Sequence, residues 1–303
     1  MNVHTDDSLY AEAAQRVEPA PAKVNLALHV TGRRGDGMHF IDSLVVFAGE
    51  GDVIRATQEA AGTITTEAEG PFGAALTEAL NSGSENIVLK AAQAIRRPAR
   101  EGVKIVINKR LPLAAGIGGG SADAAATLRL LNRLWAGGNE RGLESIAARL
   151  GADVPMCLMS TPLRAQGIGD RLTPLSGIPA VPLVLVNPGV PLPTAQVFKT
   201  LGRAEDPPLP AIPRAFRSVF ELAIWLRQTR NGLYDAARAE AKIINRVVQA
   251  LAADPDCLLA RMTGSGPTCF GIFASPGAAQ RAAVRLRIGR PEWWIAACVT
   301  GAS

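Results

Sequence analysis

The residue types best suited to chemistry lie in a glycine-rich segment near the middle of the chain, LPLAAGIGGGS at positions 111–121. Four glycines fall within five positions, at Gly116, Gly118, Gly119 and Gly120. Glycine permits positive φ and close backbone approach, so several amide N–H groups of such a segment can point into one concavity. A helix that starts directly behind the segment adds about half a positive charge at its N-terminus. The segment therefore predicts an anion site, most often one for phosphate.

An amphipathic helix is predicted directly after the glycines. Ser121 is a favoured type of N-cap residue, and Gly137 and Gly138 are expected to end the helix. One face carries residues at i, i+3 and i+4 spacing, namely Ala124, Thr127, Leu128, Leu131, Leu134 and Trp135. The alternative is a glycine-rich turn that binds nothing, and the capped helix behind the glycines favours the anion site over it.

Two well-known phosphate loops can be compared with this segment. A Walker A loop needs a Lys followed by Ser or Thr directly after its last glycine, and no Lys follows the glycines here, which excludes that class. A dinucleotide-binding fingerprint needs Gly or Ala where Ser121 stands, in a turn that closes a strand. The predicted strand 103–108 is separated from the glycines by residues 109–112, so dinucleotide binding is a weak interpretation.

Composition narrows the class of protein. The chain has 303 residues, nearly half of them apolar, which is enough for one large or two ordinary globular domains. The net charge is +5, and the basic residues are scattered without blocks, which favours mild electrostatic steering of anionic small molecules. Aromatic residues are scarce, which argues against a protein that binds nucleic acid. The four cysteines form no CxxC pair and fit a reducing, cytoplasmic environment. No signal-like or membrane-spanning apolar run is predicted.

Periodicity predicts a mixture of helices and strands, and hence an α+β fold. Strands are predicted at 21–30, 44–47, 52–56, 62–67, 103–108, 181–187, 258–262, 268–273 and 293–299, with a hairpin or loop at 164–172. Helices are predicted at 86–96, capped by Ser84, and at 143–150, 216–229, 236–252 and 276–286. Residues 151–155 predict a tight turn that carries an acid, and the four prolines of 205–213 predict an exposed loop.

The predicted domain organisation has three parts. Residues 1–20 are polar and acidic and are expected to be a loose extension. Two domains follow, at 21–176 and 177–303, divided near a proline-rich stretch. In the first predicted strand, alternation places Lys23 and Asn25 on the same face.

Four separate stretches together resemble the GHMP small-molecule kinases. They are PAKVNL at 21–26, the glycine segment at 111–121, GADVP at 151–155 and TGSG at 263–266. The sequences GMH at 37–39 and LPTAQVF at 192–198 favour members that phosphorylate an alcohol carrying cytidine diphosphate. The resemblance covers roughly residues 21–299. It implies an N-terminal domain like the second domain of ribosomal protein S5, a ferredoxin-like C-terminal domain, and ATP with Mg²⁺ as partners of the reaction.

The resemblance also assigns roles to individual residues. Asp153 takes the proton of the attacking hydroxyl, and Lys23 sits beside it and the γ-phosphate. Asn86 borders the nucleotide, and the turn 263–266 lies near the phosphate or the alcohol. The substrate contacts are Asn25 near the reacting centre, His39 paired with cytosine, Phe198 stacked on it, and Thr194. The residues that wrap the ATP phosphates are Pro112, Leu113, Ala114, Ala115, Gly116, Ile117, Gly118, Gly119, Gly120, Ser121 and Ala122.

Departures from the family pattern leave alternatives open. Met38 stands where an aromatic residue is common, which weakens stacking on cytosine, and Ala114 and Ala115 replace frequent glycines and are expected to avoid positive φ. A homoserine, mevalonate or sugar kinase of the same fold is the first alternative. A non-catalytic protein of this fold would be expected to lack Lys23 or Asp153. A dinucleotide-dependent oxidoreductase is opposed by Ser121.

Overall fold

The computed structural model describes residues 17–96, 101–136, 142–201 and 205–301. Its contacts divide the chain into two compact units, each assembled from separate stretches. The first comprises the chain up to Ala20, Gly51–Leu113 and Gly120–Met159; the second comprises Pro21–Glu50, Ala114–Gly119 and the chain from Ser160. The predicted domains, 21–176 and 177–303, are continuous stretches of sequence and divide the chain differently from these contacts. Their bounds stay a prediction.

Two long strands contribute residues to both units: β1 (Val17–Arg33) and β2 (His39–Gln58). In the first unit, residues 53–58 of β2 pair antiparallel with β4 (Val103–Asn108). Strand β4 in turn pairs in parallel with β3 (Ile64–Glu69). The helices of this unit are α1 (Gly73–Asn81), α2 (Ile87–Ile95), α3 (Gly119–Ala136, whose first residue belongs to the second unit), α4 (Leu143–Leu150) and α5 (Val154–Met159).

The core of the first unit follows the two periodicities of the sequence. Alternate residues of β4, namely Val103, Ile105 and Ile107, are buried because successive side chains of a strand point to opposite faces. On α3 the predicted face is largely confirmed, since Leu128 and Leu131 are fully buried, whereas Leu134 lies at its exposed edge.

The elements of the second unit are β5 (Leu163–Gly167), β6 (Arg171–Pro174), β7 (Pro182–Asn187), β8 (Cys257–Met262), β9 (Cys269–Phe273), β10 (Trp294–Val299), α6 (Thr194–Thr200), α7 (Val219–Leu226), α8 (Tyr234–Glu240), α9 (Ile243–Ala252) and α10 (Pro276–Gly289).

The second unit is built on a four-stranded antiparallel sheet in the order β10–β7–β9–β8. Its helices α9 and α10 pack against this sheet and bury its apolar side chains. Elsewhere in the unit, residues 41–45 of β2 pair with β5, which forms a hairpin with β6.

Several predicted boundaries are corrected. Residues 1–16 lie outside the described chain, but 17–20 belong to β1 and not to a loose extension, because Arg129 and Arg133 of α3 bind the Glu18 carboxylate. The strands predicted at 44–47 and 52–56 are one strand, β2. The single helix predicted at 236–252 is two helices, because Ala241 leaves the helical conformation with φ −138°.

The two predicted helix N-caps, Ser121 and Ser84, are both wrong. Helix α3 begins at Gly119, so Ser121 lies inside its first turn. Of the four glycines, Gly116 and Gly118 have positive φ, whereas Gly119 and Gly120 do not and form the start of the helix. The end predicted at residues 137 and 138 lies outside the described chain. Helix α2 is capped by Asn86, whose side chain accepts from the N–H of Leu89, and not by Ser84.

The proline-rich stretch 205–213 is neither helix nor strand, as predicted, but it is only partly exposed. Asp206 and Leu209 are buried. The Asp206 carboxylate accepts from the backbone N–H of Val30, and the N–H of Leu209 donates to Asp42. These hydrogen bonds hold a stretch whose proline residues have no backbone N–H to donate. In the part of the chain that the structure describes, no helix has the length and apolarity to cross a membrane.

Candidate active site

In the second unit, the glycine segment lies against Lys23 of β1. The backbone N–H of Lys23 donates to the carbonyl of Ile117 at 2.9 Å. A Cβ placed on Gly118 would lie 3.3 Å from Lys23 Cβ and 3.4 Å from its Cε, so the lysine side chain runs along the Gly118 backbone. Gly116 and Gly118 have φ of 72° and 67°, the left-handed region that glycine enters without steric cost. The predicted loop therefore has a buried lysine along one of its sides.

A second glycine turn, residues 263–266, packs directly on this segment. A Cβ on Gly116 would lie 2.2 Å from the carbonyl oxygen of Gly266, and a Cβ on Gly264 would lie 2.5 Å from that of Gly116. The two backbones can approach this closely only because both positions are glycine. Beside them, the Thr268 hydroxyl donates to the carbonyl of Ala115 at 2.6 Å. The turn thus supports the segment from within the same unit.

Ala114 departs from the sequence prediction, because its φ is +51°. A residue with a side chain costs roughly 1–2 kcal/mol in this region. The neighbouring carbonyl of Ala115 is held by Thr268, whose hydroxyl also accepts from the Asn187 side chain at 2.9 Å. The prediction failed because local preference was outweighed by these hydrogen bonds, which join residues far apart in sequence.

Asn25 presents one unused acceptor. Its backbone N–H donates to the Thr263 hydroxyl, and its Nδ2 donates to the Ser43 hydroxyl, each at 2.8 Å. Ser43 donates in turn to the carbonyl of Ala27, which fixes the orientation of the amide group of Asn25. Its Oδ1 is buried and has no hydrogen-bond partner among the described residues. A buried acceptor of this kind fits a ligand that donates an O–H.

His39 and Phe198 form a second set of predicted substrate residues. Their rings stack at 4.9 Å between centroids with 29° between planes. His39 Nε2 is buried and lacks a partner within the ranges that the structure describes. Burial, and to a lesser degree the charge of Arg33, lowers the pKa of the imidazole. The ring is therefore neutral near pH 7 and offers one nitrogen to a polar ligand edge.

Thr194 is joined to the turn that also contacts Asn25. The hydroxyls of Thr194, at the start of α6, and Ser265 are 2.8 Å apart. The second unit thus brings Thr194, Asn25 and Gly116 to the single turn 263–266.

The remaining predicted residues belong to the first unit. Ser121 and Ala122 lie in the first turn of α3, and Pro112 and Leu113 lie near the start of the glycine segment, before its part in the second unit. Asp153 is half-buried and directly precedes α5, and its carbonyl accepts from the N–H of Cys157. Because Lys23 and Asp153 belong to different units, their pairing stays a prediction.

A buried ionic cluster in the first unit was missed by the sequence analysis. Lys109 Nζ lies 2.5 Å from Asp52 Oδ2 and 2.7 Å from Asp123 Oδ2, and all three side chains are at most 4% exposed. Burial opposes the charge of Lys109, but the two carboxylates outweigh it and raise the lysine pKa. Burial raises the pKa of Asp123 to about 7, although Lys109 opposes that shift. Sequence pattern could not reveal the cluster because Asp52 lies 57 positions from Lys109.

The Asp123 pKa predicts a pH-dependent stability. Since the folded pKa of about 7 lies above the ordinary 3.8, the folded chain holds a proton that the unfolded chain releases between about pH 4 and 7. This contribution is complete below pH 4 and is lost as the pH rises through 7. We expect wild type to lose about 2–3 kcal/mol relative to Asp123→Asn between pH 5 and 8 in urea unfolding. An identical pH dependence in both proteins would contradict the shift, and exposed Glu67→Gln is the control.

Comparisons with known proteins agree with this architecture. The sequence profile of the GHMP kinases N terminal domain matches residues 86–161, and that of the GHMP kinases C terminal matches residues 220–289. A solved structure described as 4-(cytidine 5'-diphospho)-2C-methyl-D-erythritol kinase has a TM-score of 0.75 and 32% identity, covering 94% of this chain and all of its own. The chain belongs to the GHMP kinase family, with its two-domain α+β fold.

Two curated relatives extend the comparison. A 4-diphosphocytidyl-2-C-methyl-D-erythritol kinase of Dinoroseobacter shibae is 50% identical over 92% of this chain and 93% of its own length. The same kinase of Cereibacter sphaeroides is 48% identical over 91% of this chain and 96% of its own. The mevalonate kinase of L. major, at 15% identity and a TM-score of 0.68, shares the fold alone.

Proposed function

We propose that this protein transfers the γ-phosphate of ATP to the 2-hydroxyl of 4-diphosphocytidyl-2-C-methyl-D-erythritol, a step of non-mevalonate isoprenoid precursor biosynthesis. The observation that carries the proposal is the 50% identity, over 92% of the chain, to a relative named for this kinase. Asn25 Oδ1 and His39 Nε2, which lack a hydrogen-bond partner among the described residues, support it, because they fit a hydroxyl and a nucleobase edge. In the described chain the four cysteines are not joined in disulfides, which supports a cytoplasmic location.

The glycine segment is the proposed site of the ATP phosphates. Backbone N–H groups of a glycine loop and of a helix N-terminus favour phosphate oxygens, and Gly116 and Gly118 have the backbone conformation that such a loop uses. Among the described residues, no group of three or more His, Cys, Asp or Glu is arranged to hold a metal ion. Mg²⁺ needs no such cage, since it binds through one or two carboxylates together with nucleotide phosphates. When bound, it neutralises charge on those phosphates.

The proposed reaction forms one bond between the 2-hydroxyl oxygen and the γ-phosphorus and breaks the bond from that phosphorus to ADP. Asp153 accepts the hydroxyl proton and later releases it to solvent. Lys23 orients the carboxylate and offsets γ-phosphate charge; a nearby cation also makes the carboxylate a weaker base. Because phosphoryl transfer depends mainly on positioning and electrostatics, the loop amides contribute at least as much as proton transfer.

Phe198→Ala tests the proposed cytosine site. Stacking of a base on an aromatic ring is worth about 1–3 kcal/mol, so the KM for the cytidyl substrate should rise about 5- to 150-fold. The KM for ATP should stay within about twofold, because the Phe198 ring stacks on His39, which is a proposed substrate contact. Phe220→Ala, on an exposed face of α7, is the control. Equal changes in both KM values would remove Phe198 from this role.

An acceptor panel tests the function itself. ATP-dependent turnover is measured with the cytidyl substrate, mevalonate, homoserine and galactose at equal concentrations. We expect kcat/KM to favour the cytidyl substrate by about 10³-fold or more, since a site built to hydrogen-bond a substrate rejects analogues without those groups. Preferred turnover of mevalonate, homoserine or galactose would replace the proposal with that kinase activity.

A further inference from the structure

A side-chain contact closes the glycine loop at its two ends. Lys109 directly follows β4, and Asp123 lies in the second turn of α3, 14 positions later. Their side chains meet at 2.7 Å. All eleven residues proposed to wrap the ATP phosphates, 112–122, lie between these two positions. Residues 109–123 therefore form a ring, which is closed by the buried contact between Lys109 and Asp123.

Asp52 fixes the entrance of this ring. Its Oδ1 accepts from the backbone N–H groups of Arg110, at 2.6 Å, and Leu111, at 2.9 Å. Its Oδ2 accepts from Lys109 Nζ at 2.5 Å. The Asp52 carboxylate thus holds the backbone just after β4. Through Lys109 it is also linked to Asp123 of helix α3, at the other end of the loop.

Stability alone does not explain three buried ionisable side chains in contact with one another. Apolar residues of similar volume are often as stabilising as a buried ion pair or more so, because burial removes the charges from water. Contacts between apolar residues are not directional, whereas hydrogen-bonded ions accept only a narrow range of positions. The Asp123 Oδ1, buried and unpartnered within the described ranges, adds to the cost.

We propose that Lys109, Asp52 and Asp123, here called the Lys109 cluster, are positioning residues that hold the two ends of the glycine loop in the spacing that ATP requires. The proposal rests on the proposed function, which assigns the loop to ATP. Loss of the bridge should turn the loop amides away from the phosphates and weaken ATP binding. The alcohol substrate should be little affected, because its proposed contacts are held by other partners than the cluster: Asn25 by Thr263 and Ser43, and His39 by Phe198.

Asp123→Ala breaks the bridge and leaves one buried cation, Lys109, paired with one buried carboxylate, Asp52. Asp123→Asn keeps an acceptor for Lys109 and is the conservative variant. Ile105→Ala, in the buried face of β4, lowers stability without touching the cluster. The Kd of ATP is measured by calorimetry for these variants and wild type, and the KM of the cytidyl substrate by turnover.

We expect Asp123→Ala to raise the ATP Kd about tenfold or more, with the KM of the cytidyl substrate within about twofold. Asp123→Asn should restore ATP binding, and Ile105→Ala should bind ATP like wild type despite its lower melting temperature. If Asp123→Ala does not fold, the triple variant Lys109→Met/Asp52→Asn/Asp123→Leu carries the same expectation, because it leaves no buried charge unpaired and keeps an acceptor for the N–H groups of Arg110 and Leu111. Unchanged ATP binding in the bridge variants, or an equal weakening of ATP binding by Ile105→Ala, overturns the inference. In either case, turnover of the cytidyl substrate by wild type leaves the proposed function standing. Absence of ATP binding by wild type overturns both.

Discussion

Asp153→Ala is expected to lower kcat by about 10²- to 10⁴-fold, equivalent to roughly 3–5 kcal/mol, the usual worth of a positioned general base. The KM of ATP should stay within about twofold, because the proposed phosphate contacts come from the glycine segment. Steady-state kinetics with varied ATP and varied cytidyl substrate separates the two effects.

A matched control is available for this variant. Asp235 lies in the first turn of α8 and is exposed, with its carboxylate paired to Arg238. Asp235→Ala removes a carboxylate from a helix N-terminus, as Asp153→Ala does, but at a position with no proposed part in the reaction. It should leave kcat unchanged. A near-wild-type kcat for Asp153→Ala would remove Asp153 from the proposed role.

Gly116→Ala is expected to destabilise the fold by about 3 kcal/mol or more and to abolish ATP binding. Two causes act together: φ is +72°, and the added Cβ would lie 2.2 Å from the Gly266 carbonyl oxygen. Because the opposing atom belongs to the backbone, it cannot move aside by changing a rotamer. Urea unfolding measures the loss, and calorimetry with ATP measures the binding.

Gly83→Ala separates the two causes. Gly83 has φ +95°, and a Cβ there would meet nothing within 4 Å. It should therefore cost only the conformational penalty, roughly 1–2 kcal/mol. If Gly116→Ala were no more destabilising than Gly83→Ala, the close packing of the two glycine turns would be wrong.

Elements with a clear periodic pattern were predictable to the residue. The strand at Val103–Asn108 and the helix at Leu143–Leu150 match their predictions, since their patterns are uninterrupted and their neighbours are loops. The break at Ala241 carries no Gly or Pro signal, so one helix was predicted where two exist. Helices α1 and α6 are short and were not predicted.

The candidate site was predictable where the chain carries a motif. The segment 111–121 was predicted from its glycines and the helix behind them, and Lys23, Asn25, His39 and Phe198 by resemblance. The structure joins the segment and Asn25 to the turn 263–266. The supports of the site were not predictable. Asp52 meets Lys109, and Thr268 meets Ala115, across 57 and 153 positions, and no local pattern encodes such contacts.

The most direct test is identification of the product by ³¹P NMR after purified protein is mixed with ATP, Mg²⁺ and 4-diphosphocytidyl-2-C-methyl-D-erythritol. The account predicts a new phosphomonoester signal assigned to the 2-hydroxyl, formed in equal amount with ADP, while the diphosphate of the substrate stays intact. Formation of ADP without that signal, or a phosphate on another hydroxyl, would contradict it.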